Sequence, residues 1–249
     1  MKTLKLWSAA AALTLGALAS PHAPAMGALA ELGVYDRTEG RPLAIHRHAG
    51  RAYVVGKPGN EYQLVLRNRG REDLLAIVSL DGVNAISGET ADPGQSGYVL
   101  APGRRMELRG WRKSMAETAA FYFTALPDSY AARTGRPDNV GVIGVALFRR
   151  KPSEPPVSIQ PSAPRAEARG QAGAAADKAA ETQLGTGHGR REISPAHYVG
   201  FERASSAPAE ILTLYYDSHR NLVARGVIRD SVPVAPLPRP FPGFVPDPA

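Results

Sequence analysis

Between residues 52 and 148 the chain runs in short stretches that alternate apolar and polar side chains with period two. "EYQLVLRN" puts Tyr62, Leu64 and Leu66 on one face and Glu61, Gln63 and Arg67 on the other. A strand points successive side chains to opposite faces, so such a stretch buries one face and wets the other. "RRMELRG" pairs Met106 with Leu108 in the same way, and "AAFYFTAL" pairs Phe121 with Phe123. "DLLAIVSL" (73–80) and "NVGVIGVALF" (139–148) are apolar on both faces, which suits strands covered from both sides. Turn-forming clusters separate the runs, among them "KPGN", "NRGRED", "DGVN", "DPGQSG" and "APGRR". Faces of this kind are buried only by stacking two sheets. The expected fold over 31–150 is therefore an all-β antiparallel sandwich, Ig-like or jelly-roll-like. One short helix is expected in "PDSYAARTG", with Asp128 or Ser129 capping its start and Gly135 ending it in a left-handed conformation.

The pattern stops after Arg150. Residues 151–183 are rich in Pro, Ala, Gly and charge, and read as a disordered linker that buries too little surface to offset the entropy of ordering. Apolar periodicity resumes over 184–229, where "EILTLYYD-SHRN-LVARGVI" reads as a β-hairpin. Leu212, Leu214 and Tyr216 would face inward from its first strand, and Leu222, Ala224 and Ile228 from its second. A lone hairpin is marginal in water, so this segment is expected to dock on the sandwich and extend a sheet. Residues 230–249 carry a proline at nearly every second or third position and read as a disordered or polyproline tail.

The first residues set the expected compartment. Lys2 and Lys5, the apolar run "LWSAAAALTLGALAS" and the Ala23-x-Ala25 pattern together read as a secretory signal peptide over 1–25, with Ala30 as the alternative cleavage point. The run is too short to span a bilayer comfortably, so no integral span is expected after its removal. The chain has no cysteine. That excludes a cysteine-anchored lipoprotein, cysteine nucleophiles, cysteine-ligated zinc and Fe–S clusters, and it fits a secreted or periplasmic bacterial envelope protein with a core that needs no disulfides. The net charge of +7 falls to +5 without Lys2 and Lys5 and is spread thinly. Nucleic-acid binding, which needs a concentrated basic stripe, is not expected.

"SLDGVNAISGETADPGQSGYVLAPG" (79–103), "GWRKSMAETAAFYFTALPDSYAARTGRPDNVGVIGVALF" (110–148), "LGTGHGRRE" (184–192) and "LYYDSHRNLVARGVI" (214–228) resemble a family of uncharacterised secreted proteins from Gram-negative bacteria. The resemblance covers most of 45–150 and 184–229. It implies a secreted, β-rich protein and brings no activity, cofactor or catalytic residue with it.

The strongest candidate surface joins aromatic and cationic residues at turns: Trp111, Arg112, Lys113, Tyr130 and Arg133, with His188, Arg190 and Arg191 beside them. The glycines of "GTGHGRRE" are not a phosphate loop. No lysine follows them, and Pro195 comes too soon for a long helix. Among the histidines, His46 and His48 share a strand face at i, i+2 and are weak metal candidates. A rival reading is an envelope-polymer hydrolase or metalloprotein using His188 or His219 with Asp81 or Asp217, although no serine sits in a G-x-S-x-G elbow. A third is an adaptor that binds a partner through the proline-rich tail. The first expectation is a binding or structural module of the cell envelope, its partner an envelope protein or polysaccharide. No cofactor is implied.

Overall fold

The computed structural model describes residues 25–152 and 183–229. The expected leader, linker and tail otherwise lie outside the described residues. In chain order the strands are β1 (Ala25–Met26), β2 (Ala30–Asp36), β3 (Arg41–Pro42), β4 (Ile45–His48), β5 (Arg51–Val55), β6 (Glu61–Asn68), β7 (Leu74–Leu80), β8 (Val83–Asn84), β9 (Tyr98–Leu100), β10 (Arg105–Leu108), β11 (Gly110–Arg112) and β12 (Glu117–Ala125). The short helix α1 (Tyr130–Arg133) follows, then β13 (Val142–Arg149), β14 (Leu184–Ile193), β15 (Glu210–Asp217) and the helix α2 (His219–Ala224).

These strands build an all-β sandwich. One sheet runs β1-β2-β6-β12-β11, with β3, β10 and β14 attached to β2, β6 and β12. The other runs β4-β5-β15-β13-β7-β8, with β9 attached to β7. Between them lies one core, to which both sheets contribute their inward positions: Leu32, Tyr62, Leu64, Leu66, Phe121 and Phe123 from the first, Leu80, Ile143, Val145 and Leu214 from the second. β7 is covered on both faces, as its unbroken apolar run requires. Leu74, Ala76, Val78 and Leu80 enter the main core. Leu75 and Ile77 join Phe148 in a second cluster on the other face, against Val99 and Phe201.

The C-terminal segment is more deeply integrated than a docked hairpin. β14 pairs with β12 in the first sheet. β15 lies inside the second, antiparallel to β13 and parallel to β5, so that sheet is mixed rather than wholly antiparallel. The expected return strand of the hairpin is absent, and the chain after Asp217 forms α2 instead. The Ser218 side chain caps it by accepting the Asn221 N–H. Gly226, at φ +70°, ends it. There the Val227 N–H donates to the Leu222 carbonyl and the Gly226 N–H to that of Val223. A serine cap and a left-handed glycine eight residues apart fix one helical turn and a half, and so short an apolar stretch cannot outweigh them.

Candidate functional site

The expected helix α1 forms where the sequence places it. Its N-cap is Ser129, whose hydroxyl accepts the Ala132 N–H, and Gly135 follows its end at φ +77°. This sets Tyr130 against the end of the core. Trp111, which the sequence allows either as an exposed ring or as a plug of the sandwich end, is 3% exposed and takes the second place. It reaches over the small Ala119 side of β12 to donate its Nε1–H to the Gly187 carbonyl at 3.0 Å, and packs edge-on to Phe121. The ring of Tyr130 lies between those of Trp111 and His188, with centroids 4.8 and 5.6 Å away. Of the expected surface, Trp111 is therefore a core residue, and Tyr130 and His188 are half-buried. Lys113, Arg133 and Arg191 are exposed around them.

The other two arginines turn elsewhere. Arg190 sits with Glu61 (2.8 Å) and Glu192 (2.6 Å) in an ion cluster that also takes Arg37. Arg112 donates to the Ser194 carbonyl and stacks over Tyr98. The glycines of "LGTGHGRRE" line an outer strand and admit close neighbours: a Cβ at Gly185 would meet Ser129, and one at Gly187 the Tyr122 ring. At Gly189 the register of β14 against β12 slips by one residue, and a Cβ there would meet the Ala120 carbonyl. That is the geometry of a β-bulge.

The residues of the hydrolase reading do not converge. Asp81 and Gly82 form the turn between β7 and β8 with φ of +53° and +76°. The Asp81 carboxylate is buried and takes hydrogen bonds from the Tyr216 hydroxyl, the Thr186 N–H (2.7 Å) and the Gly141 N–H (2.9 Å). The Thr186 hydroxyl bonds both Tyr216 and Tyr62, so the chain of polar groups crosses the core from one sheet to the other. Burial is the main force on Asp81 and lifts its pKa from 3.8 to about 6, against the opposing pull of its donors. Asp217 is taken up by the Ser218 N–H and Asn221, with Arg225 at 3.5 Å. His219 lies near His46, whose pKa is lowered first by burial and then by His219, and His48 is exposed. Among the described residues no group of three His, Asp or Glu side chains is placed to hold a metal ion.

Sequence reasoning passed over the most distinctive surface. Residues 194–203 form a strap without regular structure that leaves β14 and crosses to the second sheet. The Ser194 and Ala196 N–H groups donate to the Ala116 and Met115 carbonyls. Arg203 donates to the carbonyls of Pro93, Gly94 and Gln95 while covering the Phe148 ring. Beneath the strap is a groove of about 550 Å³, walled by Tyr98, Met106, Arg112, Met115 and Phe201. Thr118 lines it with a hydroxyl that is buried and has no hydrogen-bond partner, in a residue 1% exposed. Three of the five large apolar side chains exposed among the described residues line the groove: Met115, Tyr198 (91%) and Val199; Ile193 (82%) directly precedes the strap. No periodicity marks a strap, and an exposed Tyr198 reads no differently from a buried one in a single sequence.

No family model, curated protein or solved structure matches this chain. The groove and the basic ring column thus stand on their own geometry. Among the described residues no helix is long and apolar enough to cross a membrane.

Proposed function

We propose that the protein is a secreted or periplasmic binding module of a bacterial envelope, and that it holds an envelope protein or polysaccharide in the groove beneath residues 194–203. The carrying observation is the gathering of exposed Met115, Tyr198 and Val199 along a groove containing the unpartnered Thr118 hydroxyl. A contiguous apolar patch in contact with water marks an interaction site. A buried hydroxyl without a partner costs roughly 1–3 kcal/mol, which a ligand carrying a donor or acceptor recovers. The leader-like N-terminus and the absence of cysteine support the compartment. The engagement of Asp81 by Tyr216, Thr186 and Gly141 and of Asp217 by Ser218 and Asn221 favours binding over hydrolysis.

The test is co-sedimentation of the mature chain with envelope fractions separated into polysaccharide and membrane protein. The wild type is expected to bind one fraction, and Tyr198→Ser with Thr118→Val to weaken that binding at least about tenfold, as loss of a central aromatic anchor does. Native circular dichroism with undiminished binding by the double variant rejects the groove.

A further inference from the structure

The column of Trp111, Tyr130 and His188 ends at the half-buried His188 ring, and the charges that bear on that ring come from three separate elements. They are Lys113 in the turn between β11 and β12, Arg133 in the last turn of α1, and Arg191 on β14 itself. Of these cations Arg191 has a counter-ion, Glu117 at 3.6 Å. No carboxylate lies within ion-pairing distance of Lys113 or Arg133 among the described residues, whereas Arg190, two residues from His188, is closely paired. Like charges held together without a counter-ion repel, and a bound anion relieves them. A monoanion neutralises one of the two open cations. A dianion neutralises both, and arginine and lysine are the side chains that take phosphate, the first through its planar fork.

We propose that Lys113, Arg133 and His188 form a binding site for a phosphate group, with Tyr130 and Trp111 holding the imidazole in place. The site is separate from the groove beneath the strap and does not rest on it. Burial is the largest influence lowering the His188 pKa, followed by Lys113; Arg133 and Arg191 act the same way, and a backbone hydrogen bond opposes them. These surroundings therefore disfavour the imidazolium form. A bound dianion reverses the local charge, so binding draws a proton onto His188 and strengthens as the pH falls.

The experiment is an NMR titration of the His188 ring protons in the mature chain with inorganic phosphate. Sulfate, whose charge is constant over the range, isolates proton uptake by His188 from protonation of phosphate. Saturating phosphate is expected to raise the His188 pKa by about one unit, and sulfate affinity to rise about tenfold from about pH 8 to about pH 5. Lys113→Met with Arg133→Met is expected to lose binding while the near-ultraviolet signature of Trp111 persists. His188→Gln should retain binding at high pH and lose its pH dependence. Tyr198→Ser should change nothing. Vesicles of anionic phospholipid and a phosphorylated oligosaccharide, each competed with free phosphate, identify the carrier. A His188 resonance that ignores phosphate, full binding by the double variant, or vesicle binding that free phosphate does not displace each overturns the proposal.

Discussion

Asp81 carries two duties in one side chain. Its backbone makes the left-handed turn that Asp-Gly sequences favour between strands, and its carboxylate receives donors from both sheets. Because its folded pKa of about 6 exceeds the 3.8 of an unburied carboxyl, the folded state keeps a proton that the unfolded state has released between those values. This contribution to stability is complete below about pH 4 and declines as pH rises through 6, by about 3 kcal/mol in total. Glu39 and Glu61, held low by hydrogen bonds chiefly from Arg41 and Arg190, act in the opposite direction. The signature is therefore the difference between wild type and Asp81→Asn: urea denaturation across pH 4 to 7 is expected to show the decline in the former only. Trp111→Phe keeps the ring contacts with Phe121 and Tyr130 but strips the Gly187 carbonyl of its donor, and should cost about 1–3 kcal/mol in the same assay. The sequence marked Asp81 as a turn former and Trp111 as a possible plug of the sandwich end. It could not show that Tyr216 and Thr186 meet Asp81, with Tyr62 joined through Thr186, because the three come from strands β15, β14 and β6, far apart along the chain.

The strands of residues 52–148 were legible because alternation reports which face is buried, and Tyr62, Leu64, Leu66, Phe121 and Phe123 all lie in the core. α1 was legible from its cap and its terminal glycine. The same two signals stand at Ser218 and Gly226, but the apolar residues between them fit the return strand of a hairpin equally well, which hides α2 in the sequence. Two substitutions measure what those signals contribute. Ser218→Ala removes the cap and is expected to cost about 1 kcal/mol. Gly226→Ala forces a Cβ onto a residue at φ +70° and should cost a similar amount, seen as a lowered melting temperature with the spectrum of the folded protein unchanged. β14 hid for the opposite reason. Gly185, Gly187 and Gly189 give it little strand propensity, and close packing against Ser129, Tyr122 and Ala120 holds it in place.

At the scale of the molecule, the two sheets share one core that residues 184–217 help to fill: Leu184, Leu212, Leu214 and Tyr216 are buried in it. A chain ending at residue 182 would expose the Tyr62 and Phe123 rings and leave β5 and β13 without the strand between them. Such a truncation is expected to bind hydrophobic dyes and show no cooperative melting, which calorimetry would establish. The placement of β15 has a temporal side as well. A ribosome delivers residues 210–217 after every other strand described, yet they occupy a middle plank of their sheet. Until they emerge, the nascent polypeptide holds two open hydrogen-bonding margins that nothing earlier in the sequence can close. Its native state is thus reached only once residues 210–217 have been made, through contacts distant along the chain and correspondingly slow to form.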